Sequence, residues 1–206
     1  MTLMRSMVLV MQAIPLMLLQ YSSEFKDKAS VPPADLLALE REEIILLLKE
    51  ANSSEEEDRP SKDRIRFEAR HRLVEKWQER WDGEVKGRWT YRLIPTLATW
   101  LIRNHGKVSY YLTKALTGHG CFNSYLQRFK KRESEVCAYC QFPVDSAEHT
   151  LSSRWDLEKQ AMFIGVNAIV TPENMVALMI QSQENWRLIE TFIISVMMRK
   201  DLDDRR

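Results

Sequence analysis

The stretch ENWRLIETFIISVMMRK, from Glu184 to Lys200, carries the pattern that decides the fold class. Its large apolar side chains recur every three or four residues, and one stripe is formed by Trp186, Ile189, Ile193 and Met197. This spacing puts the four side chains on one face of an α-helix, as expected for a helix packed against a core. We therefore predict a final helix from Glu184 to about Lys200 with this stripe buried.

Helical spacing also dominates the rest of the chain. It predicts helices over residues 32–50, 64–81, 95–104, 109–117, 122–129, 155–163 and 171–182. The second of these helices should present one apolar face, formed by Phe67, Val74, Trp77 and Trp81. No run alternates with period two over several strands, and only six glycines among 206 residues disfavour a turn-rich β architecture. We predict an all-α fold, an irregular multi-helix bundle.

The segment ANSSEEEDRPSKD, residues 51–63, interrupts the helical pattern. It is polar and highly charged and contains a proline, which is typical of a linker or an exposed loop. We accordingly divide the chain into N-terminal helices (1–51), a charged linker (52–63), a helical C-terminal domain (64–200) and a charged tail (201–206).

The N-terminal region imitates a secretory signal without completing one. Arg5 precedes the apolar run from Met7 to Leu19, which is shorter than the roughly 20 residues that span a bilayer. Pro15 interrupts the run, and no small-residue cleavage site follows it. Three cysteines, an odd number, disfavour a disulfide framework. We predict a reducing, intracellular location, nuclear or cytoplasmic, and no membrane partner.

Charge is unevenly distributed although the net charge is only +1. Residues 62–132 contain 17 Lys and Arg against 6 Asp and Glu, whereas the remaining residues contain 13 against 23. This asymmetry indicates an anionic partner for the middle of the chain, with nucleic acid the commonest. Alternatively, the acidic flanks fold back onto the basic middle.

Cysteine and histidine cluster in CAYCQFPVDSAEHTL, residues 137–151. A Cys-x-x-Cys turn presents two sulfurs at the separation that zinc requires, so Cys137, Cys140 and His149 form a candidate metal site. Zinc prefers four ligands, and Cys121 or His119 is the candidate for the fourth. The alternatives are two free thiols with a surface histidine, or a redox-active Cys-x-x-Cys, which lacks its usual βαβ context here.

A basic cluster lies next to this loop in the sequence. It contains Arg128, Lys130, Lys131 and Arg132, whose side chains could neutralise the phosphates of RNA or DNA. Further candidate phosphate contacts are Lys114, Arg92 and Arg88. The interleaved aromatics could stack on bases, but their helical spacing favours the core instead; they are Tyr110, Tyr111, Phe122, Tyr125 and Phe129.

Recognisable catalytic patterns are missing from the sequence. It contains no Gly-x-Ser-x-Gly, no phosphate-binding glycine loop and no His-Glu-x-x-His motif. We predict that this chain is not an enzyme and has no small-molecule substrate.

Several stretches together resemble one protein family. They are PPADLLALER (32–41), WQERW (77–81), GRWTYRLIP (87–95), YYLTKALTGHGCFNSYLQRF (110–129), CAYCQFPVDSAEHTL (137–151) and, more weakly, TPENMVALMIQSQENW (171–186). They resemble the C-terminal region of the reverse transcriptase polyprotein of insect non-LTR retrotransposons, of the type that inserts into ribosomal RNA genes. The resemblance covers roughly residues 20–200. The block at 116–129, followed by the Cys-x-x-Cys and the histidine, is its most specific part.

The resemblance implies a zinc knuckle with four ligands, Cys-Cys-His-Cys, in a nucleic-acid-binding region that follows the polymerase thumb. Residues 1–51 would then be a remnant of the thumb and its connection, and 137–155 a small knuckle-like loop. In that family, the pattern that begins at the histidine resembles HTLFxCxRW. This chain reads HTLSSRW (149–155) instead, so the fourth ligand is missing. The polymerase Tyr-x-Asp-Asp motif is missing as well. The resemblance therefore predicts a truncated, non-catalytic fragment with a degenerate zinc knuckle; the alternative is a helical protein-interaction domain.

Overall fold

The structure is a computed structural model that describes residues 31–53, 59–152 and 169–204. All regular structure within these ranges is helical, which confirms the predicted all-α fold. The helices are α1 (Ala34–Ser53), α2 (Lys62–Gly83), α3 (Arg88–Leu93), α4 (Leu97–Leu101), α5 (Tyr110–Thr117), α6 (Asn123–Arg128), α7 (Ala147–Ser152), α8 (Pro172–Gln181) and α9 (Gln183–Asp204). The apolar run 7–19 and the helix predicted over 155–163 lie outside the described residues.

The chain forms two compact units. One comprises the described residues up to Gly83 together with Thr96–Ile102, and the other comprises Glu84–Pro95 and the described residues from Arg103 onward. These units do not follow the segments 1–51, 52–63, 64–200 and 201–206, and that domain assignment stays a prediction. Helix α9 continues through residue 204, into the segment predicted as a charged tail.

The first unit is a helical hairpin of α1 and α2 with the short α4 beside α2. Three ion pairs join α1 to α2: Asp35–Arg80, Glu40–Arg70 and Glu43–Arg72. Residues early in α1 pair with residues late in α2, so the two helices are antiparallel. Helix α4 buries the three side chains predicted to point inward: Leu97, Trp100 and Leu101.

The buried face of α2 differs from the predicted one. The structure buries Ile65, Ala69 and Leu73, whereas the residues of the predicted apolar face are only half-buried. Three arginines of α2, Arg70, Arg72 and Arg80, bond to carboxylates of α1, and these ion pairs turn that side of the helix towards α1. Charge pairing therefore sets the rotation of this helix, a signal that apolar spacing does not contain.

The second unit packs around α9. Helices α5 and α8 lie against α9, and α3 lies against α5 and α8. The predicted stripe of α9 is buried, with Trp186 3% exposed and Ile189, Ile193 and Met197 fully covered. Within the described parts of the chain, no helix combines the length and apolar character needed to cross a membrane.

Candidate functional site

The structure brings together the three residues that the sequence singled out as metal ligands. The Cys140 Sγ atom lies 3.2 Å from Nε2 of His149. With the Cys137 sulfur included, all three ligand atoms lie within 4.8 Å of one another. The group could therefore hold a single metal ion.

A tight turn places the two cysteines. The backbone N–H of Gln141 donates to the carbonyl of Cys137 at 2.9 Å, and the N–H of Cys137 donates to the carbonyl of Phe142 at 2.9 Å. Gln141 adopts the left-handed conformation (φ 61°) that closes this turn. The two hydrogen bonds fold the Cys-x-x-Cys segment back on itself, so that both sulfurs face the same side.

Helix α7 supplies the histidine. The hydroxyl of Ser146 accepts a hydrogen bond from the N–H of His149 at 3.1 Å and so caps the first turn of α7. The ring of Phe142 stacks on the imidazole, with centroids 4.4 Å apart and planes inclined by 5°. The imidazole is consequently held from both the helix and the turn.

The electrostatics of Cys137 contain two opposing effects. Burial raises the pKa of its thiol, while backbone hydrogen bonds from Tyr139 and Cys140 act in the opposite direction. Because metals bind the thiolate, those two N–H groups favour the ligand form of the sulfur.

Asp145 connects the loop that carries Cys137 and Cys140 to the core, a role that sequence reasoning missed. Its carboxylate accepts hydrogen bonds from Nζ of Lys200 at 2.6 Å and from the N–H of Asn123 at 3.0 Å. Both side chains of the Asp145–Lys200 ion pair are only 3% exposed. The pair therefore fixes the loop to the end of α9 from within the protein. A contact between residues 55 positions apart leaves no mark in local spacing.

The two fourth-ligand candidates do not join the group of three. The ring of His119 instead contacts Tyr125, at 4.9 Å between centroids. Cys121 is buried, and burial raises the pKa of its thiol to about 12. The chain residues that the structure describes thus supply three ligand atoms to this group.

Three of the candidate phosphate contacts are bound to carboxylates of the acidic flank. Arg92 bonds to Glu148 at 2.5 Å and also to Glu173. Lys114 bonds to both oxygens of Asp201, at 2.7 and 2.9 Å. Arg132 bonds to Asp204. The acidic flank therefore folds back onto part of the basic segment, as the alternative interpretation of the charge pattern expected.

The remaining candidates occupy exposed positions. Arg88 lies over the ring of Tyr91, and Arg128 lies 5.4 Å from the centroid of Tyr125. Lys130 and Lys131 are exposed, and among the described residues no carboxylate forms an ion pair with either. Of the aromatics, Phe122 is fully buried, whereas Phe129 is 58% exposed beside these lysines.

Lys130 has an unusual backbone. Its φ angle is 56°, the left-handed region that favours glycine. Its N–H donates to the carbonyl of Gln127, and the N–H of Lys131 donates to that of Leu126, at 2.8 and 3.0 Å. These two bonds form the Schellman motif that ends α6. A lysine therefore stands where glycine is usual, and its side chain projects from the end of the helix.

A polar groove opens beside these lysines. It has a volume of about 970 Å³ and is lined by Lys130, Lys131 and Arg132, by Tyr139, and by residues of α9. The Tyr139 hydroxyl donates to Asp203 at 2.6 Å. The segment that runs from α6 into the Cys-x-x-Cys turn thus contributes both to the groove and to the group of Cys137, Cys140 and His149.

Comparison with known proteins links this chain to a mobile element. Over 82 residues it is 34% identical to the "Retrovirus-related Pol polyprotein from type-1 retrotransposable element R1" of Bradysia coprophila. The predicted resemblance to a retrotransposon polyprotein is confirmed. The match covers 39% of this chain and 8% of the retrotransposon polyprotein, so the chain spans only a small part of that relative. No protein-family model matches the chain, and no solved structure does.

Proposed function

We propose that this chain is a non-catalytic nucleic-acid-binding region with a zinc-knuckle-like loop, derived from a retrotransposon reverse transcriptase polyprotein. The observation that carries the proposal is the exposed cationic patch of Arg128, Lys130 and Lys131, which directly precedes a Cys/Cys/His group able to hold a metal. The resemblance to a reverse transcriptase polyprotein makes nucleic acid the natural anion for this patch.

The patch would bind through phosphate. Each lysine or arginine that neutralises a phosphate releases condensed counterions, which produces affinity without sequence preference. The left-handed backbone of Lys130 supports a functional use, because strained backbone conformations cluster at functional sites. The turn after α6 would then owe its left-handed conformation to the phosphate contacts of Lys130 and Lys131.

Zinc suits the donor set. Two sulfurs and one imidazole nitrogen are the ligands of structural zinc sites, where tetrahedral geometry separates sulfur and nitrogen by about 3.5 Å and two sulfurs by about 3.8 Å. The 3.2 Å between Cys140 and His149 and the 4.8 Å limit for the group are compatible with these values. Zinc bound by three protein ligands would take water in the fourth position and would be held weakly.

Elemental analysis tests the zinc. We expect the full chain, purified with zinc, to hold at most one ion per chain and to lose it on mild chelation. Cys137→Ser should abolish binding, and the matched variant Cys121→Ser should leave it unchanged. Zinc that resists mild chelation would show that a fourth ligand completes the site, and no zinc at all would remove the knuckle from the proposal.

Lysine replacement tests the nucleic-acid patch. We expect Lys130→Ala with Lys131→Ala to lower the affinity of the full chain for labelled RNA about tenfold or more at low salt, equally for unrelated sequences. The control is Lys62→Ala with Lys76→Ala on α2, which removes the same charge from exposed positions. Equal losses in both variants would show that the affinity reflects overall charge, and absent binding by the wild-type chain would remove the function.

A second candidate function rests on the surface of α1. Leu39 and Leu46, seven residues apart on one helix face, are 49% and 53% exposed. Such a face could pair with the same face of a second copy. A stable dimer in light scattering that Leu39→Glu dissociates, together with no retention on immobilised RNA, would favour a protein-interaction domain over the nucleic-acid function.

A further inference from the structure

The polar groove beside Lys130 has a balanced charge. Four basic side chains line it, Lys130, Lys131, Arg132 and Lys200, and four acidic ones balance them, among them Asp203 and Asp204. A continuous run of phosphates would gain little from a lining whose charges cancel. The groove therefore suits a ligand that combines phosphate with an uncharged polar group.

Two groups of lining residues differ. Lys130 and Lys131 are exposed cations at the end of α6. Elsewhere in the lining, Arg132 is bonded to Asp204 and the Tyr139 hydroxyl to Asp203, so this group combines carboxylate acceptors with an aromatic ring. Carboxylates accept hydrogen bonds from the amino groups of bases, and aromatic rings stack on their faces.

Tyr139 is arranged as a platform. Its hydroxyl is fixed by Asp203, and Nζ of the buried Lys200 lies 5.4 Å from the ring centroid. The side chain nevertheless remains 43% exposed. A ring that is already fixed loses little conformational freedom when a base stacks on it.

The size of the groove favours a single strand over a duplex as its ligand. The volume of about 970 Å³ lies at the upper end of the range for small-ligand sites, roughly 300–1,000 Å³. One or two nucleotides with unstacked bases could enter such a space. A duplex keeps its bases stacked inside and offers only phosphates and base edges. We propose that this groove binds an unpaired segment of single-stranded nucleic acid, with phosphate on Lys130 and Lys131 and a base on Tyr139.

This inference rests on the proposed function and gives it a substrate class. The test measures fluorescence anisotropy of the full chain with a labelled single-stranded RNA about 12 nucleotides long, a DNA of the same sequence, and the corresponding duplexes. We expect both single strands to bind about tenfold more tightly than either duplex. Tyr139→Ala should lower single-strand affinity about tenfold and leave duplex affinity unchanged.

Two further variants distinguish the loss of the Tyr139 ring from a general effect on the fold. Tyr139→Phe keeps the ring and should retain most of the affinity. Tyr110→Ala removes a 66% exposed tyrosine of α5 that does not line the groove, and should change nothing. Equal binding of duplex and single strand, or equal effects of Tyr139→Ala and Tyr110→Ala, would overturn the inference and leave the proposed function standing. No binding of any of these nucleic acids would overturn both.

Discussion

Lys130 combines a strained backbone, which lowers the stability of the fold, with an exposed side chain. The C-terminal Schellman motif of α6 requires a left-handed residue, and a side chain at that position strains the backbone. The cost is of order 1 kcal/mol. In exchange, the ammonium group stands clear of the helix, beside the groove.

Replacing Lys130 by glycine should therefore separate stability from binding. We expect Lys130→Gly to raise the free energy of unfolding by up to about 1 kcal/mol, because glycine adopts this φ angle without strain. RNA affinity should fall. Urea denaturation and fluorescence anisotropy measure the two effects. Lys131→Gly is the control: it removes the same charge and should bring no gain in stability. A Lys130→Gly chain that is less stable than the wild type would contradict this interpretation of the turn.

The buried Asp145–Lys200 pair should be costly to break on one side only. Lys200→Met leaves the Asp145 carboxylate 3% exposed and without its cation, and we expect a loss of about 3–5 kcal/mol. Lys86→Met, at an exposed position, should change the free energy of unfolding by less than about 0.5 kcal/mol. Chemical denaturation compares them, and adding Asp145→Asn to Lys200→Met should recover part of the loss. Equal stability of the two single variants would refute the anchoring role.

At the scale of elements, capping residues made several helices predictable. Ser109 accepts from the N–H of Leu112 at the start of α5, and Gly118, with φ 70°, ends it. At the start of α8, the N–H of Thr171 donates to the Asn174 side chain in a capping box, and Pro172 occupies the first turn. These helix termini depend on hydrogen bonds and backbone angles of neighbouring residues, so the sequence alone indicates where the helices begin and end.

Helices α3 and α7, which have six residues each, were not predicted. Trp89 of α3 donates from its indole to the carbonyl of Ala115, a contact that depends on α5 being in place. The grouping of Cys137, Cys140 and His149 was predictable from their spacing. The helix that carries His149 and the ion pair that anchors the loop were not, because both depend on distant residues.

Gly106 marks the closest approach between the loop after α4 and α9. A Cβ atom there would lie 2.1 Å from the Trp186 ring, and the φ angle is 79°. We expect Gly106→Ala to cost about 3 kcal/mol or more in a denaturation experiment, from overlap and backbone strain together. Gly87 has a similar φ of 69°, but a Cβ atom there would meet nothing within 4 Å, so Gly87→Ala should cost only about 1 kcal/mol. Equal costs would mean that the ring does not pack against Gly106.

The Arg92 bridge between α3 and α8 predicts a pH dependence. The hydrogen bond from Arg92 lowers the pKa of Glu173 to about 2, from its ordinary 4.5. The ionised carboxylate therefore stabilises the fold above about pH 4.5, and this contribution is lost as the pH falls towards 2. The effect should be small because Glu173 is 55% exposed. The stability difference between the wild type and Glu173→Gln, from thermal unfolding, should shrink over this range; a constant difference would argue against the bridge.

At the scale of the whole molecule, ion pairs within each unit neutralise part of the basic segment. The ion pairs of Arg92, Lys114 and Arg132 consume cations of the basic segment within the second unit. The ion pairs between α2 and α1 do the same within the first unit. The exposed patch of Arg128, Lys130 and Lys131 is therefore much smaller than the sequence total suggests, and the number of phosphates it can neutralise is correspondingly small.

The salt dependence of RNA binding tests this account most directly. For a single strand, the slope of log affinity against log salt is about −0.7 per neutralised phosphate, so three cations predict a slope of about −2. Anisotropy titrations of the full wild-type chain between about 50 and 200 mM salt give the slope. A value near −2 would support a local patch of three cations. Affinity that does not change with salt, or no binding at all, would contradict the central claim.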